Sequence, residues 1–240
     1  SAALSANTTG ANNTAIGRQT LDANTTASDN TGVGYAALGS NTTGTENSAL
    51  GSQALAANTT GDANIAIGFE ALDANTTGSN NTAVGRSSLG ANTTANNNTA
   101  VGYYALKLNT TGGDNVAVGG NSLDANTTGD ANTCIGKSSL GNNTTGANNT
   151  GLGWGSLGQN TTADNNTAVG YNCLGANTTG TENVAVGGYA LDANTTASYQ
   201  VAVGYLALTS NTTGNANTAI GSESLKTNTV GDRNTAVGYQ

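Results

Sequence analysis

The chain has 240 residues, a net charge of −8, and charged side chains at only 8% of its positions. This mildly acidic composition argues against nucleic acid or an anionic membrane surface as a partner, and no apolar run approaches the ~20 residues needed for membrane insertion. Pro, His and Met are absent and 35 residues are Gly, which is typical of a low-complexity repeat whose order depends on repetition.

A single 17-residue unit is repeated along the chain. Its opening tripeptide, Asn-Thr-Thr or in the last copy Asn-Thr-Val, occurs fourteen times from Asn7 to Asn228 without an insertion or deletion. We number the places of the unit from this Asn, so that the consensus is Asn-Thr-Thr-Gly-x-x-Asn-Thr-Ala-Val-Gly-x-x-Ala-Leu-x-Ala. A strict period means that each copy stacks on an equivalent neighbour, which predicts a solenoid or fibre.

The predicted elements follow one another within the unit. Asn-Thr-Thr forms a turn, and the alternation in segments such as Asn64-Ile65-Ala66-Ile67-Gly68 predicts a short strand over places seven to ten that ends at a glycine corner. A second short strand is predicted over places thirteen to fifteen. The high content of Gly, Asn and Thr disfavours helices.

The fourteen copies show which places face the interior. Place eleven is always Gly, place fifteen always Leu, and place ten always Val, Ile or Leu, so we expect the last two to form a thin core. Places four and nine carry only small residues, which predicts a close neighbouring backbone. All twenty charged residues lie at places five, six, twelve, thirteen and sixteen, which we therefore expect to be exposed.

These patterns predict an all-β fold: a repetitive β-solenoid, or β-roll, with one 17-residue coil per repeat and fourteen repeats, in a parallel homo-oligomeric fibre. The chain begins and ends inside a unit, so residues 1–240 are interpreted as a single uninterrupted repeat array without caps, an excerpt of a longer fibre. Because one coil buries too little apolar surface to fold alone, stacking between coils and contacts between chains must supply the stability.

A second period appears at place twelve, where large side chains fall mainly in alternate copies, 34 residues apart. Either successive 17-residue coils alternate, or one turn contains two units; we favour 17 residues per turn because a wider coil would need a larger core. The aromatics of this row are candidates for facing a partner: Tyr35, Phe69, Tyr103, Trp154, Tyr171, Tyr205 and Tyr239. Packing between chains or coils is preferred over stacking on sugar rings.

The pattern Asn-x-Thr is the acceptor for N-glycosylation. It occurs at thirteen of the place-one asparagines: Asn7, Asn24, Asn41, Asn58, Asn75, Asn92, Asn109, Asn126, Asn143, Asn160, Asn177, Asn194 and Asn211. It also occurs at Asn12, Asn80, Asn97, Asn148, Asn165 and Asn142. The competing interpretation, which we prefer, is turn chemistry, because Asn tolerates left-handed conformations and Thr hydroxyls bond locally.

Other chemistry is disfavoured by the sequence. Cys134 and Cys173 are most simply interpreted as small buried side chains. No coil repeats a set of carboxylates that could hold a metal ion. With no His and no nucleophile held beside a base, we expect no catalytic residues, no enzyme activity and no cofactor. Rows of Thr leave ice binding as a minor alternative.

The Asn-x-Ala-Val-Gly segments resemble the head repeats of trimeric autotransporter adhesins. The runs from Asn98 to Gly112 and from Asn166 to Gly180 are still more similar to the repeat arrays of bacterial and phage tail-fibre-like proteins. This resemblance covers the whole chain and implies a β-roll and a homotrimer. The adhesin heads use a shorter repeat, and the neck, stalk and anchor of that family are not seen here.

Together these observations predict an extracellular structural fibre or filament shaft, a surface fibril, adhesin or tail-fibre-like appendage on a cell or virion, with or without a glycan coat. Its main partner would be itself, as a parallel homo-oligomer or an end-to-end filament. The alternative is a surface-binding solenoid, either a carbohydrate-binding adhesin or an ice-binding protein.

Overall fold

The computed structural model describes residues 2–240, which contain fourteen three-residue strands and no helix. The chain divides into two compact units, one ending at Asn115 and the other spanning Val116–Gln240. The first unit contains β1 (Thr14–Ile16), β2 (Thr31–Val33), β3 (Ser48–Leu50), β4 (Ile65–Ile67), β5 (Thr82–Val84) and β6 (Thr99–Val101). The second contains β7 (Val116–Val118), β8 (Thr133–Ile135), β9 (Thr150–Leu152), β10 (Thr167–Val169), β11 (Val184–Val186), β12 (Val201–Val203), β13 (Thr218–Ile220) and β14 (Thr235–Val237).

Each unit is a parallel β-solenoid. Neighbouring strands pair in parallel with a constant offset, such as Thr14 with Thr31 in the first unit and Thr218 with Thr235 in the second. One turn of the coil therefore contains 17 residues, which excludes the alternative of 34. The predicted all-β class and coil length are confirmed, whereas the single array over residues 1–240 stays a prediction.

The predicted second strand was wrong, because places thirteen to fifteen form a tight turn. Gln19 and Leu21 have φ angles of 60° and 51°, and the equivalent residues of the other coils share this left-handed conformation. Such angles are unfavourable for a bulky residue such as Leu. Hydrogen bonds to the next coil hold the turn, since the Leu21 N–H donates to the Ala37 carbonyl at 3.1 Å.

The glycine at place eleven forms the corner after each strand. Its φ lies between 126° and 142° in all coils, a region that residues with a Cβ atom avoid. At Gly68 a Cβ atom would also lie 2.6 Å from the carbonyl oxygen of Gly85. Both the backbone angle and the neighbouring coil therefore explain why this place is invariant.

The core is thinner than predicted, because only one of the two large apolar rows points inward. Leucines at place fifteen are fully buried from Leu21 to Leu208, and small residues at places nine and fourteen, such as Ala66 and Ala71, pack beside them. The expectation that place ten also belongs to the core was wrong. Place nine faces inward, so its neighbours along the strand, places eight and ten, must face outward.

Candidate functional site

Two columns of buried amides occupy the interior beside the leucine row. In the place-one column, Asn75 Nδ2 donates to Asn58 Oδ1 at 2.9 Å and to the carbonyl oxygen of Gly78 at 2.9 Å, while its own Oδ1 accepts from Asn92 Nδ2 at 2.9 Å. Each asparagine thus joins two neighbouring coils and closes its own turn. A chain of such bonds, shielded from water, stabilises the stack along its axis.

The place-seven column has the same function on the opposite side of the turn. The backbone N–H of Asn64 donates to Asn47 Oδ1 at 3.0 Å, and Asn64 Nδ2 donates to the Gly78 carbonyl at 2.8 Å. Within residues 2–240 no buried side-chain nitrogen or oxygen lacks a hydrogen-bond partner. Hydrogen bonds between fully satisfied amides therefore stabilise the interior, where a larger solenoid would use apolar side chains.

The place-one column bears directly on the candidate glycosylation sites. From Asn24 to Asn211 these side chains have no exposed surface, and Nδ2, the atom that would carry a sugar, already donates hydrogen bonds. Attachment to the folded coil would have to expel the side chain and break the column. N-glycosylation of these asparagines therefore stays a prediction that the folded geometry disfavours.

The remaining Asn-x-Thr sites lie on the surface instead. They are the place-six residues Asn12, Asn80, Asn97, Asn148 and Asn165, together with Asn142 at place seventeen, and all are exposed. The structure therefore separates two groups that look alike in sequence.

The outer side of the strands forms an exposed aliphatic face. It consists of the Val, Ile and Leu side chains of place ten. Eight of the fourteen are half-buried, and the other six are exposed by 40% to 74%: Ile16, Leu50, Ile67, Ile135, Ile220 and Val237. Place eight lies beside it and carries Thr or Ser, replaced by Ile65, Val116, Val184 and Val201 in four coils. No charged residue occurs at places seven to ten, so the strand face is uncharged throughout.

The seven aromatic candidates at place twelve are all exposed. Several contact the equivalent side chain of the next coil: the Arg18 guanidinium lies 5.7 Å from the Tyr35 ring centre, and Arg86 lies 5.6 Å from the Phe69 ring centre. Trp154 and Tyr171 stack with their ring centres 5.0 Å apart. In some pairs of neighbouring coils, the 34-residue period therefore places a cation against an aromatic ring. The sequence shows this period but not the contacts that it produces.

A groove opens in the second unit beside Trp154. Its volume is about 490 Å³. It is lined by Asn121, Asp124, Ala125, Ser138, Gly141, Asn142, Trp154, Gly155, Gly158, Gln159, Asn172 and Gly175. Four of the twelve lining residues carry side-chain amides, and Trp154 supplies one aromatic ring.

The other titratable groups form no site of their own. The described part of the chain contains no cluster of Cys, Asp or Glu that could hold a metal ion. Asp73 has a raised pKa because it is partly buried and lies near Glu70. In the copy that begins at Asn211, Lys226 Nζ pairs with Glu223 Oε2 at 2.8 Å, which lowers the pKa of Glu223 and raises that of Lys226.

Both cysteines are buried thiols in the second unit and neither is in a disulfide. Burial raises the pKa of Cys134 strongly and that of Cys173 to about 12. At pH 8 the thiolate form of Cys173 would then be on the order of one part in ten thousand.

We expect iodoacetamide to leave both cysteines, Cys134 and Cys173, unmodified in the folded protein and to modify both in urea, as measured by intact mass. Rapid modification without denaturant would contradict this assignment.

Residues 2–240 contain no helical segment with the length and hydropathy of a membrane span. Comparison of the chain with protein-family models, with curated proteins and with solved structures finds no match.

Proposed function

We propose that this chain is the shaft of an extracellular structural fibre, in which parallel copies associate through their strand faces. The observation that supports this most directly is the uncharged aliphatic face of place ten, which recurs in every coil. Contiguous apolar surface of this kind is characteristic of interfaces between proteins. The resemblance to adhesin heads and tail-fibre arrays agrees with this proposal and favours three chains.

Repetition of the aliphatic face multiplies the free energy that association of two chains could gain. An outward Val or Ile that loses roughly 60 Å² of exposed surface contributes about 1.5 kcal/mol at 25 cal/mol per Å². In the first unit Ile16, Leu50 and Ile67 are exposed enough to contribute this much each, and the half-buried valines of the other three strands would contribute less. The charged residues, all at other places, would remain in water at the rim of such an interface.

The same face could instead order water, because Thr at place eight alternates with small inward residues. That row is interrupted by Ile65, Val116, Val184 and Val201, whereas place ten is aliphatic in every copy. The constant feature is thus the apolar one, which favours association between copies over ice binding.

The proposed role is mechanical. Hydrogen bonds between coils and the two amide columns fix each coil on the next, so repetition extends the structure without a new folding problem. Few sites on such a stack can open for a protease. A shaft of this kind would hold a terminal domain away from a cell or virion surface, or would itself form the filament.

A pair of lysine substitutions tests the interface. We expect the wild-type protein to sediment as an oligomer and the double variant Ile67→Lys, Ile135→Lys to sediment as a monomer, because two cations would be buried in each contact between chains. The matched control, Thr77→Lys with Thr145→Lys, changes exposed place-three residues of the two copies that follow those of Ile67 and Ile135, and should leave the mass unchanged. A monomeric wild type, or an oligomer that survives the Ile substitutions, would contradict the proposal.

Surface location is tested separately. Antibodies against the folded chain should label intact, unpermeabilised cells or virions that carry the protein. Labelling only after permeabilisation would place the fibre inside the cell and contradict this part of the proposal.

A further inference from the structure

The groove beside Trp154 interrupts the repeat in a way that neither folding nor association explains. Place sixteen carries Gly in three successive coils, at Gly141, Gly158 and Gly175, whereas elsewhere glycines at this place are isolated from one another. Gly155 adds a fourth at place thirteen of the middle coil, where the other coils have side chains. At Gly141 and Gly158 the missing side chains lower the surface and leave an open trough, whereas the Asn172 amide lies over Gly175, 2.8 Å from the position that a Cβ atom would take.

The sides of the trough present amides. Asn142 Nδ2 donates to the Gly158 carbonyl at 2.9 Å and to Gln159 Oε1 at 3.1 Å, which orders both side chains. Among residues 2–240, nothing accepts from Gln159 Nε2 or bonds to the side-chain amide of Asn172. These groups offer donors and acceptors side by side, the arrangement that suits hydroxyl groups, which both donate and accept.

Trp154 gives the trough an aromatic wall. Its indole is 46% exposed and is held by Tyr171, whose ring lies nearly parallel to it at an interplanar angle of 11°. Tyr171 in turn meets the edge of Tyr189 with ring centres 5.2 Å apart. The indole therefore has a fixed orientation before any ligand arrives, which reduces the entropy lost on binding.

We propose that this trough binds a neutral oligosaccharide of about three rings, with a sugar ring packed against Trp154 and hydroxyl groups bonded to Asn142, Gln159 and Asn172. The lining spans four coils, or about 14 Å at about 4.8 Å per coil, and its volume lies within the roughly 300–1,000 Å³ typical of small-ligand sites. Asp124 at one end, in a chain of charge −8, disfavours an acidic ligand. The shaft would thereby carry its own receptor site, in addition to its structural role.

The chain contains a single tryptophan, so its fluorescence reports on this site alone. The probes are cellotriose, maltotriose and triacetylchitotriose, each titrated into the full chain. We expect at least one of them to change the emission of Trp154 in a saturable way. If none of the three does so, while acrylamide still quenches the exposed indole, the proposal is wrong.

The variant Gly141→Lys fills the trough and should weaken binding at least about tenfold. It should fold, because Lys107 and Lys226 occupy the same place and an added Cβ would come no closer than 3.4 Å to another atom. The matched control, Gly90→Lys, makes the same change at the same place in the first unit and should bind as the wild type does. Binding that survives Gly141→Lys would overturn the assignment.

A second pair of variants covers the case in which Gly141→Lys does not fold. Trp154→Ala should abolish binding measured by calorimetry, whereas Tyr35→Ala, which removes an exposed aromatic at the same place in the first unit, should leave it unchanged. Equal binding by both variants would also contradict the proposal.

Discussion

The substitution Gly68→Ala is expected to lower the free energy of unfolding by about 4 kcal/mol or more, a large effect for one methyl group. Gly68 has a φ of 137°, which an alanine does not adopt without strain, and the new Cβ would lie 2.6 Å from the Gly85 carbonyl oxygen. That oxygen belongs to the next coil, so the strain could be relieved only by separating two coils. Urea denaturation followed by circular dichroism measures the change.

Gly90→Ala is the matched control. Gly90 lies at place sixteen, its φ is not in the left-handed region, and an added Cβ would meet its nearest neighbour, the Ser87 carbonyl oxygen, at 3.3 Å. Ala56 occupies the equivalent place in another coil. We expect a change below about 1 kcal/mol, and equal effects of the two substitutions would show that place eleven does not form the corner described here.

The substitution Asn75→Leu is expected to lower the free energy of unfolding by about 3 kcal/mol, because it removes one member of a buried amide column and leaves its hydrogen-bond partners unsatisfied. Asn58 Oδ1 would lose its donor from the next coil, and Asn92 Nδ2 would lose one of its two acceptors. A buried polar group without a partner destabilises the fold by more free energy than the hydrogen bond contributed when it was present. Urea denaturation again gives the magnitude, and hydrogen exchange should show faster exchange in the coils on either side.

Thr77→Val serves as the control in the same turn. Thr77 is exposed, and the chain makes the same change itself at Val230, the equivalent place of the last copy. We expect its unfolding free energy to match that of the wild type. If Asn75→Leu were equally harmless, the asparagine columns would not be structural, and exposed turn chemistry would be the better explanation of their invariance.

The sequence was sufficient to predict the coil but not which apolar row faces inward. The 17-residue period, the glycine corner and the buried leucine follow from invariant places alone. Val or Ile at place ten and Leu at place fifteen are equally apolar, so composition could not separate an inward row from an outward one. The restriction of place nine to Ala, Gly or Cys was the usable signal, since a strand with a confined inner residue must direct its neighbours outward.

The second strand was predicted incorrectly for a different reason. Alternation over places thirteen to fifteen is compatible with an extended strand, but a coil of 17 residues has to reverse direction within that segment. Tertiary closure overrides local preference there, and leucines such as Leu21 accept a left-handed φ because burial and bonds to the next coil hold them. Local sequence does not contain that constraint.

The buried amide columns and the groove required information between coils. Asn-x-Thr suggested glycosylation because the pattern is read along the chain, whereas the burial of Asn75 depends on its equivalents 17 residues away. The trough lies along three glycines that are adjacent only across coils. Reading the sequence in columns of period 17 would have brought Gly141, Gly158 and Gly175 together, but the free amides of its walls appear only in the folded structure.

The most direct test of the proposed shaft is cryo-electron microscopy of the purified protein at a resolution that separates neighbouring coils. We expect several parallel chains in cross-section, a rise of about 4.8 Å per coil, and the side chains of place ten, such as Ile67 and Ile135, packed against neighbouring copies. Single chains whose strand faces meet only water would contradict this expectation.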